Sequence, residues 1–191
     1  MKKFNRDERG VLVIEFMIML PTLMLCFLGM FVFFDAFQKW MKFSTASYTV
    51  SDLLSRQTIV DDNFILSLDG VFDTISDSRS REETWLRVTS LKKVSGNISI
   101  LWTVETSDFP QLDPLAADIE DLVPNMGVDE HLLLIQTYSP YSPGFSWVGL
   151  SGITLRESIA TSSRFSSKLV NSDHLDFDGA TDDGIDDPLA L

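Results

Sequence analysis

One cysteine, two histidines, ten glycines and seven prolines in 191 residues are few, and each scarcity excludes something. A single cysteine forbids an internal disulfide framework and any multi-cysteine zinc or iron–sulfur site. With only His131 and His174 available, a serine–histidine–acid triad lacks its usual choice of base. Gly144-Phe145-Ser146-Trp147-Val148-Gly149 misses the G-x-S-x-G elbow by one residue. No H-E-x-x-H, phosphate-loop or dinucleotide glycine pattern is present, so the sequence reads as non-enzymatic and without a metal or cofactor. Too little glycine and proline, set against 45% hydrophobic residues, excludes a fibrous or wholly disordered chain. Basic residues are also short beyond the N-terminus: residues 35–191 carry 11 Lys/Arg against 25 Asp/Glu, the opposite of what a nucleic-acid binder needs.

Apolar residues, by contrast, are concentrated. Eight of the 14 Phe and six of the 7 Met fall within residues 1–43. Val11 to Phe34 is interrupted only by Glu15, Pro21, Thr22 and Gly29. As a helix at about 1.5 Å per residue it reaches about 36 Å, enough for a hydrocarbon core of about 30 Å. Lys2, Lys3, Arg6 and Arg9 precede it and hold the N-terminus on the cytoplasmic side by the positive-inside rule, leaving the acidic remainder outside. Beyond it, Phe37, Lys39, Trp40 and Lys42 place aromatic rings and ammonium groups where headgroups begin. The run is longer than a secretory signal's apolar region and FVFFDAFQKW contains no A-x-A cleavage box, so a retained span is expected. Pro21 reads as a bend, and Cys26 as a small buried hydrophobe.

Glu15 is the anomaly. A carboxylate inside a span costs about 2.5–3.5 kcal/mol at the helix centre and less near the ends. Either it reaches back to the headgroups or sits protonated, or a partner offsets it. Its setting is Arg9-Gly10-Val11-Leu12-Val13-Ile14-Glu15-Phe16. A basic leader, a glycine, an apolar helix from the next residue, Glu at its fifth position and an aromatic at its sixth resemble the processing site of type IV prepilins. With Pro21, and the continuations VFFDAF and VSDLLSR, residues 1–56 are more specifically similar to the TadE/TadG-like minor pilins of the Flp (tight-adherence, Tad) pilus system.

The resemblance implies cleavage by a prepilin peptidase between Gly10 and Val11, with Val11 as the new N-terminus, Glu15 as the fifth residue and Phe16 as the sixth. It also implies a pilin-like protein in the bacterial inner membrane, N-terminus cytoplasmic and head periplasmic, whose partners are other pilins, Tad/Flp components and the bilayer. Electrostatics supports it independently: cleavage removes the basic leader and creates an α-ammonium, with a pKa of about 8, able to pair with Glu15. Leaving either charge unpaired in low dielectric is expensive. Val11 and Glu15 are therefore the candidate docking pair between subunits.

Past the span, Ala36, Trp40, Phe43, Ser47, Val50 and Leu54 recur at helical spacing, so residues 35–57 should extend the helix as a spine, its stripe facing either the chain's own domain or a partner helix. Residues 61–77 read as a short helix behind an Asp cap, weakened by Gly70. TWLRVTSL (84–91) and NISILWTVE (97–105) read as a hairpin, 112–123 as a helix ended by Pro124, and 131–139 and 152–165 as further strands. The expected fold is thus α+β: leader 1–10, transmembrane helix 11–34, spine 35–57, and a head over 58–171 with about four antiparallel strands laid on the spine.

From Ser172 onward the composition is Asp-rich, with no Lys or Arg, and residues 172–191 are expected to stay unfolded. A calcium loop with Asp176, Asp178 and Gly179 would have His174 at its first place and Ile185 at its twelfth, lacking two oxygen ligands. Asn97-Ile98-Ser99 matches a glycosylation sequon but reads more simply as strand. Tyr138, Tyr141, Phe145 and Trp147 form either an exposed contact surface or part of the core. Two rivals to the pilin reading stay open: a bitopic inner-membrane protein with a periplasmic sensor or ligand-binding domain, and an anchored hydrolase using Ser146 or Asp176/Asp178.

Overall fold

The computed structural model describes residues 8–77, 84–94, 96–106, 119–141 and 153–177. Helix α1 runs from Glu8 to Ser55, 48 residues, which at about 1.5 Å per residue is about 72 Å. It passes through Pro21 unbroken, although the ring leaves the Met17 carbonyl without its amide donor. The chain divides into two compact units, Met1–Met41 with Tyr141–Ile153, and Lys42–Pro140 with Thr154–Leu191.

The first unit holds the apolar part of α1. Its large side chains are exposed from Val13 to Phe37, apart from half-buried Leu28 and buried Val32 among the described residues. This helix is long and apolar enough to cross a membrane. Cys26, expected as a small buried hydrophobe, is exposed on it, because among the described residues no other element covers that side of the helix.

The second unit is the α+β body. The elements are β1 (Ile59–Val60), α2 (Asp62–Ser76), β2 (Trp85–Val94), β3 (Asn97–Glu105), α3 (Ile119–Leu122), β4 (His131–Tyr141), β5 (Ile153–Thr161), β6 (Val170–Asn171) and a 3-10 segment, Ser172–Phe177. Strands β3-β2-β4-β5 make one four-stranded sheet, and β1 and β6 pair separately in parallel. β2 is antiparallel to both β3 and β4, with Val88 opposite Val104 and Ile135. The hairpin turns at Gly96, whose φ of +94° is one that only glycine adopts without strain.

On one face of the sheet lies the main core. The last turns of α1 contribute Phe43, Ala46, Val50 and Leu54 to it, α2 contributes Ile65, Leu68 and Phe72, and the sheet contributes Leu86, Val88, Trp102, Val104, Leu133 and Ile135. Ser47 and Ser51 are buried between these helical positions. They are small enough for close packing, and the Ser47 hydroxyl is satisfied by the Phe43 carbonyl at 3.0 Å and the Thr137 hydroxyl at 2.7 Å. The stripe expected to start at Ala36 and Trp40 therefore begins at Phe43: Trp40 stands half exposed. Leu91, Ile119, Val123, Met126, Leu132 and Leu134 build a smaller core on the opposite face.

Helix α2 opens on Asp61, whose carboxylate accepts from the Phe64 amide at 3.0 Å, and closes on Asp77 in the left-handed region. Of the helix expected over 112–123, Ile119–Leu122 is a single turn and the preceding residues lie outside the described ones. The boundary of the Asp-rich tail also moves. The Asp173 carboxylate accepts from the Asp62 amide at 2.9 Å, so the chain stays ordered past Ser172 into the 3-10 segment.

Candidate functional site

The N-terminal motif lies at the start of α1. Its helix begins at Glu8, ahead of the start expected at Val11, so the Gly10–Val11 peptide sits inside the first turn. Amides of a first turn have no carbonyl partner within the helix, which makes this the part most easily drawn into an extended conformation. The side chains of residues 8–12, Val11 included, lie outside the described residues. Glu15 and Phe16, one turn further on, are both exposed. Glu15 has neither an ion pair nor a hydrogen bond within the described residues. In a helix Val11 and Glu15 share one face, four residues apart. The helix thus presents a carboxylate without a partner among the described residues, flanked by apolar side chains: Val13, Ile14, Met17 and Ile18 are all exposed.

Other chemistry-bearing groups serve the fold. Asp62 Oδ1 accepts from buried Asn171 Nδ2 at 2.7 Å, and its Oδ2 lies 3.4 Å from His174 Nε2. With the β1–β6 pair, this network ties the C-terminal segment to the start of α2. An open cavity of about 310 Å³ beside it is lined by Ile59, Val60, Asp61, Phe64 and Ser172. Its one carboxylate is already engaged as the α2 cap. Buried Asp73 accepts from the Thr84 hydroxyl, and half-buried Glu157 from Ser44 at 3.2 Å. Among the described residues no three His, Cys, Asp or Glu side chains gather as a metal would need. Ser146, Phe145, Trp147 and Asp178, and the side chain of Asp176, lie outside the described residues.

Tyr138 and Tyr141, read as candidates for one aromatic contact surface, are both buried. Being three residues apart on a strand, they point to opposite sides of it, and Tyr138 instead stacks beneath the Arg156 guanidinium, 5.7 Å from the ring centre. Tyr141 does something sequence reasoning missed: its hydroxyl donates to Asp35 Oδ2 at 2.9 Å. Burial, and then the carboxylate that holds its proton, push the Tyr141 pKa up to about 12. The signal available in the sequence was Asp35 itself, the first charge after the apolar run. Comparison with family models, with curated proteins and with solved structures finds no match.

Proposed function

We propose that this chain is a membrane-anchored minor pilin or pseudopilin of a Flp-type (Tad) pilus, acting in pilus assembly and adhesion. The observation that carries the proposal is Glu15, an exposed carboxylate with no partner among the described residues, one turn inside an apolar helix and five residues past Gly10. An exposed apolar helix of this length suits a bilayer, and a carboxylate inside it calls for something that offsets its cost. Both features acquire a role if proteolysis after Gly10 makes an α-ammonium at Val11 and a neighbouring subunit's ammonium meets Glu15. In low dielectric that pairing sets helix register, because any slip leaves two charges unpaired.

On this reading residues 1–10 are a cytoplasmic leader, α1 enters a bundle of subunits in the inner membrane, and the acidic body faces the periplasm. Mostly large side chains line the span, with Gly29 its only glycine after the leader. Tight helix packing in membranes favours small residues, and this favours a minor component over a major filament subunit.

Intact-mass measurement of the chain expressed with a prepilin peptidase tests the reading. The expected product begins at Val11; a chain retaining Met1 beside an active peptidase supports the bitopic sensor reading instead. Glu15→Gln should leave insertion and cleavage intact and reduce co-purification with other pilus subunits. Unchanged co-purification removes the docking role.

A further inference from the structure

Two carboxylates bracket the apolar part of α1, and they are held differently. Glu15 and Asp35 stand twenty positions apart, with no Asp, Glu, Lys or Arg between them. Along one continuous helix that separation is about 30 Å, which equals the usual thickness of a hydrocarbon core. Glu15 has neither an ion pair nor a hydrogen bond among the described residues, whereas Asp35 Oδ2 accepts from the Tyr141 hydroxyl at 2.9 Å. Tyr141 is buried, closes strand β4 and belongs to the same compact unit as Asp35. The outer end of the apolar run is therefore tied to the end of a strand.

That tie resists inward movement of α1 in two ways. Sinking would carry a carboxylate from the edge of the hydrocarbon, where its cost is small, toward the centre, where it is largest. It would also either break a hydrogen bond to a carboxylate or draw the end of β4 inward with the helix. A strand end brings backbone N–H and C=O groups that lipid leaves unsatisfied. The neighbouring side chains suit the same level. Phe37 and Trp40 are exposed just beyond Asp35, with ring centres 6.1 Å apart, and tryptophan settles between hydrocarbon and headgroups.

We infer that Asp35, held by the Tyr141 hydroxyl, is a depth stop that fixes the outer level of α1 in the bilayer. Glu15, one hydrocarbon thickness away, is thereby set at the inner edge, beside the end that cleavage after Gly10 would expose. The inference rests on reading α1 as a membrane span. Without the stop, the next charge is that of Lys39, four residues on. The helix could then sink by about 6 Å, the rise of those four residues.

The test uses the full chain in vesicles of dimyristoleoyl, dioleoyl or dierucoyl phosphatidylcholine, which form bilayers of increasing thickness. Cys26→Ser removes the native thiol, and single fluorescent labels are placed at Phe27→Cys and at Gln38→Cys, both exposed positions. Depth is read from quenching by nitroxide lipids of known position and by aqueous iodide. In the otherwise wild-type chain the label at 38 should hold one depth in all three lipids. With Asp35→Asn, which keeps the shape and removes the charge, it should move inward in the thickest lipid by up to about 6 Å. Tyr141→Phe should move it in the same direction by less, with an unchanged circular dichroism spectrum. A label at 38 that sinks with thickness in the wild-type chain as it does in Asp35→Asn overturns the stop. So does an Asp35→Asn chain whose label stays at the wild-type depth, because the level is then set elsewhere. A Tyr141→Phe chain at wild-type depth overturns the part given to the hydroxyl. Quenching at 27 separates the stop from the span: with deep nitroxide effective there, these failures leave the span standing, whereas iodide quenching alone at 27 removes both.

Discussion

Each half of α1 carries an edge-to-face aromatic pair. Phe27 and Phe31 have ring centres 5.1 Å apart at 66°, and Phe43 and Phe72 are 5.7 Å apart at 83°. The first pair is exposed, more than half the surface of each ring being accessible; Phe43 and Phe72 are essentially inaccessible. Ring geometry is therefore a poor guide to what an aromatic residue does. Environment decides: Phe43 and Phe72 leave water because the body folds around them, whereas Phe27 and Phe31 stand exposed on a helix long and apolar enough to cross a membrane. Helical spacing shows the same contrast. From Phe43 to Leu54 apolar and small residues alternate with polar ones on a three- and four-residue rhythm, while from Val13 to Phe34 apolar residues surround the helix on all sides.

The widest separation between the halves should come from truncating one ring in each. Phe43→Ala removes a fully buried ring and should destabilise the body by about 3–5 kcal/mol, the usual cost of deleting a core phenylalanine. Phe27→Ala should change the same unfolding transition by no more than about 0.5 kcal/mol, as for an exposed site. Denaturant unfolding of detergent-solubilised protein, followed by the emission of buried Trp102, measures both. Equal effects at the two positions would mean that the apolar half is part of the folding core.

Much of this division was legible in the sequence, because a helix surrounded by apolar residues and one with a single apolar stripe leave different periodicities. Both strands of the hairpin and both ends of α2 were legible for the same reason. What was not legible depended on contacts across the fold. In β3, Ile98, Ile100, Trp102 and Val104 alternate as if on one face. A bulge at Leu101 shifts the register, since Ser90 and Leu91 of β2 oppose Trp102 and Ile100, so Trp102 and Val104 join the main core while Ile98 packs on the other side. One extra residue reverses a strand's faces and leaves the alternation of letters untouched. The β1–β6 pair is two residues long, too short for any period. Its order comes from Asn171, buried and bonded to Asp62. At the candidate site the legibility is reversed: Gly10, Val11, Glu15 and Phe16 stand out as letters, whereas the Asp35–Tyr141 bond joins residues 106 positions apart and has no local signature.

A charge placed in each half sharpens the contrast at somewhat lower cost. Met24→Asp puts a carboxylate near the centre of the apolar half, where Met24 is exposed. Insertion should lose about 2.5–3.5 kcal/mol, read as a shift of the protein from the carbonate-resistant membrane fraction to the soluble one. Tyr48→Asp places the same group on an exposed position of the other half and should leave fractionation unchanged. If Met24→Asp also stays in the membrane fraction, the exposed apolar surface of α1 is not lipid-facing.

The smallest expected effect is at the Asp35–Tyr141 bond, inside the first unit. Tyr141 ionises only near pH 12, against 10.0 for an unperturbed tyrosine. With a folded-state pKa above the unfolded one, the contribution is fully present below pH 10 and is lost as pH rises through 12. At neutral pH the hydroxyl is therefore a donor, and Tyr141→Phe should cost about 0.5–1.5 kcal/mol, the net worth of one hydrogen bond. The cost should disappear in strong alkali, where the wild-type phenolate and the Asp35 carboxylate repel. Difference absorbance between wild type and Tyr141→Phe isolates this tyrosine's phenolate from those of Tyr48 and Tyr138. Its appearance near pH 10 would mean that Tyr141 is neither buried nor bonded to Asp35. A late phenolate in Asp35→Asn as well would assign the shift to burial, the largest of its three causes, and reduce the carboxylate to a bystander.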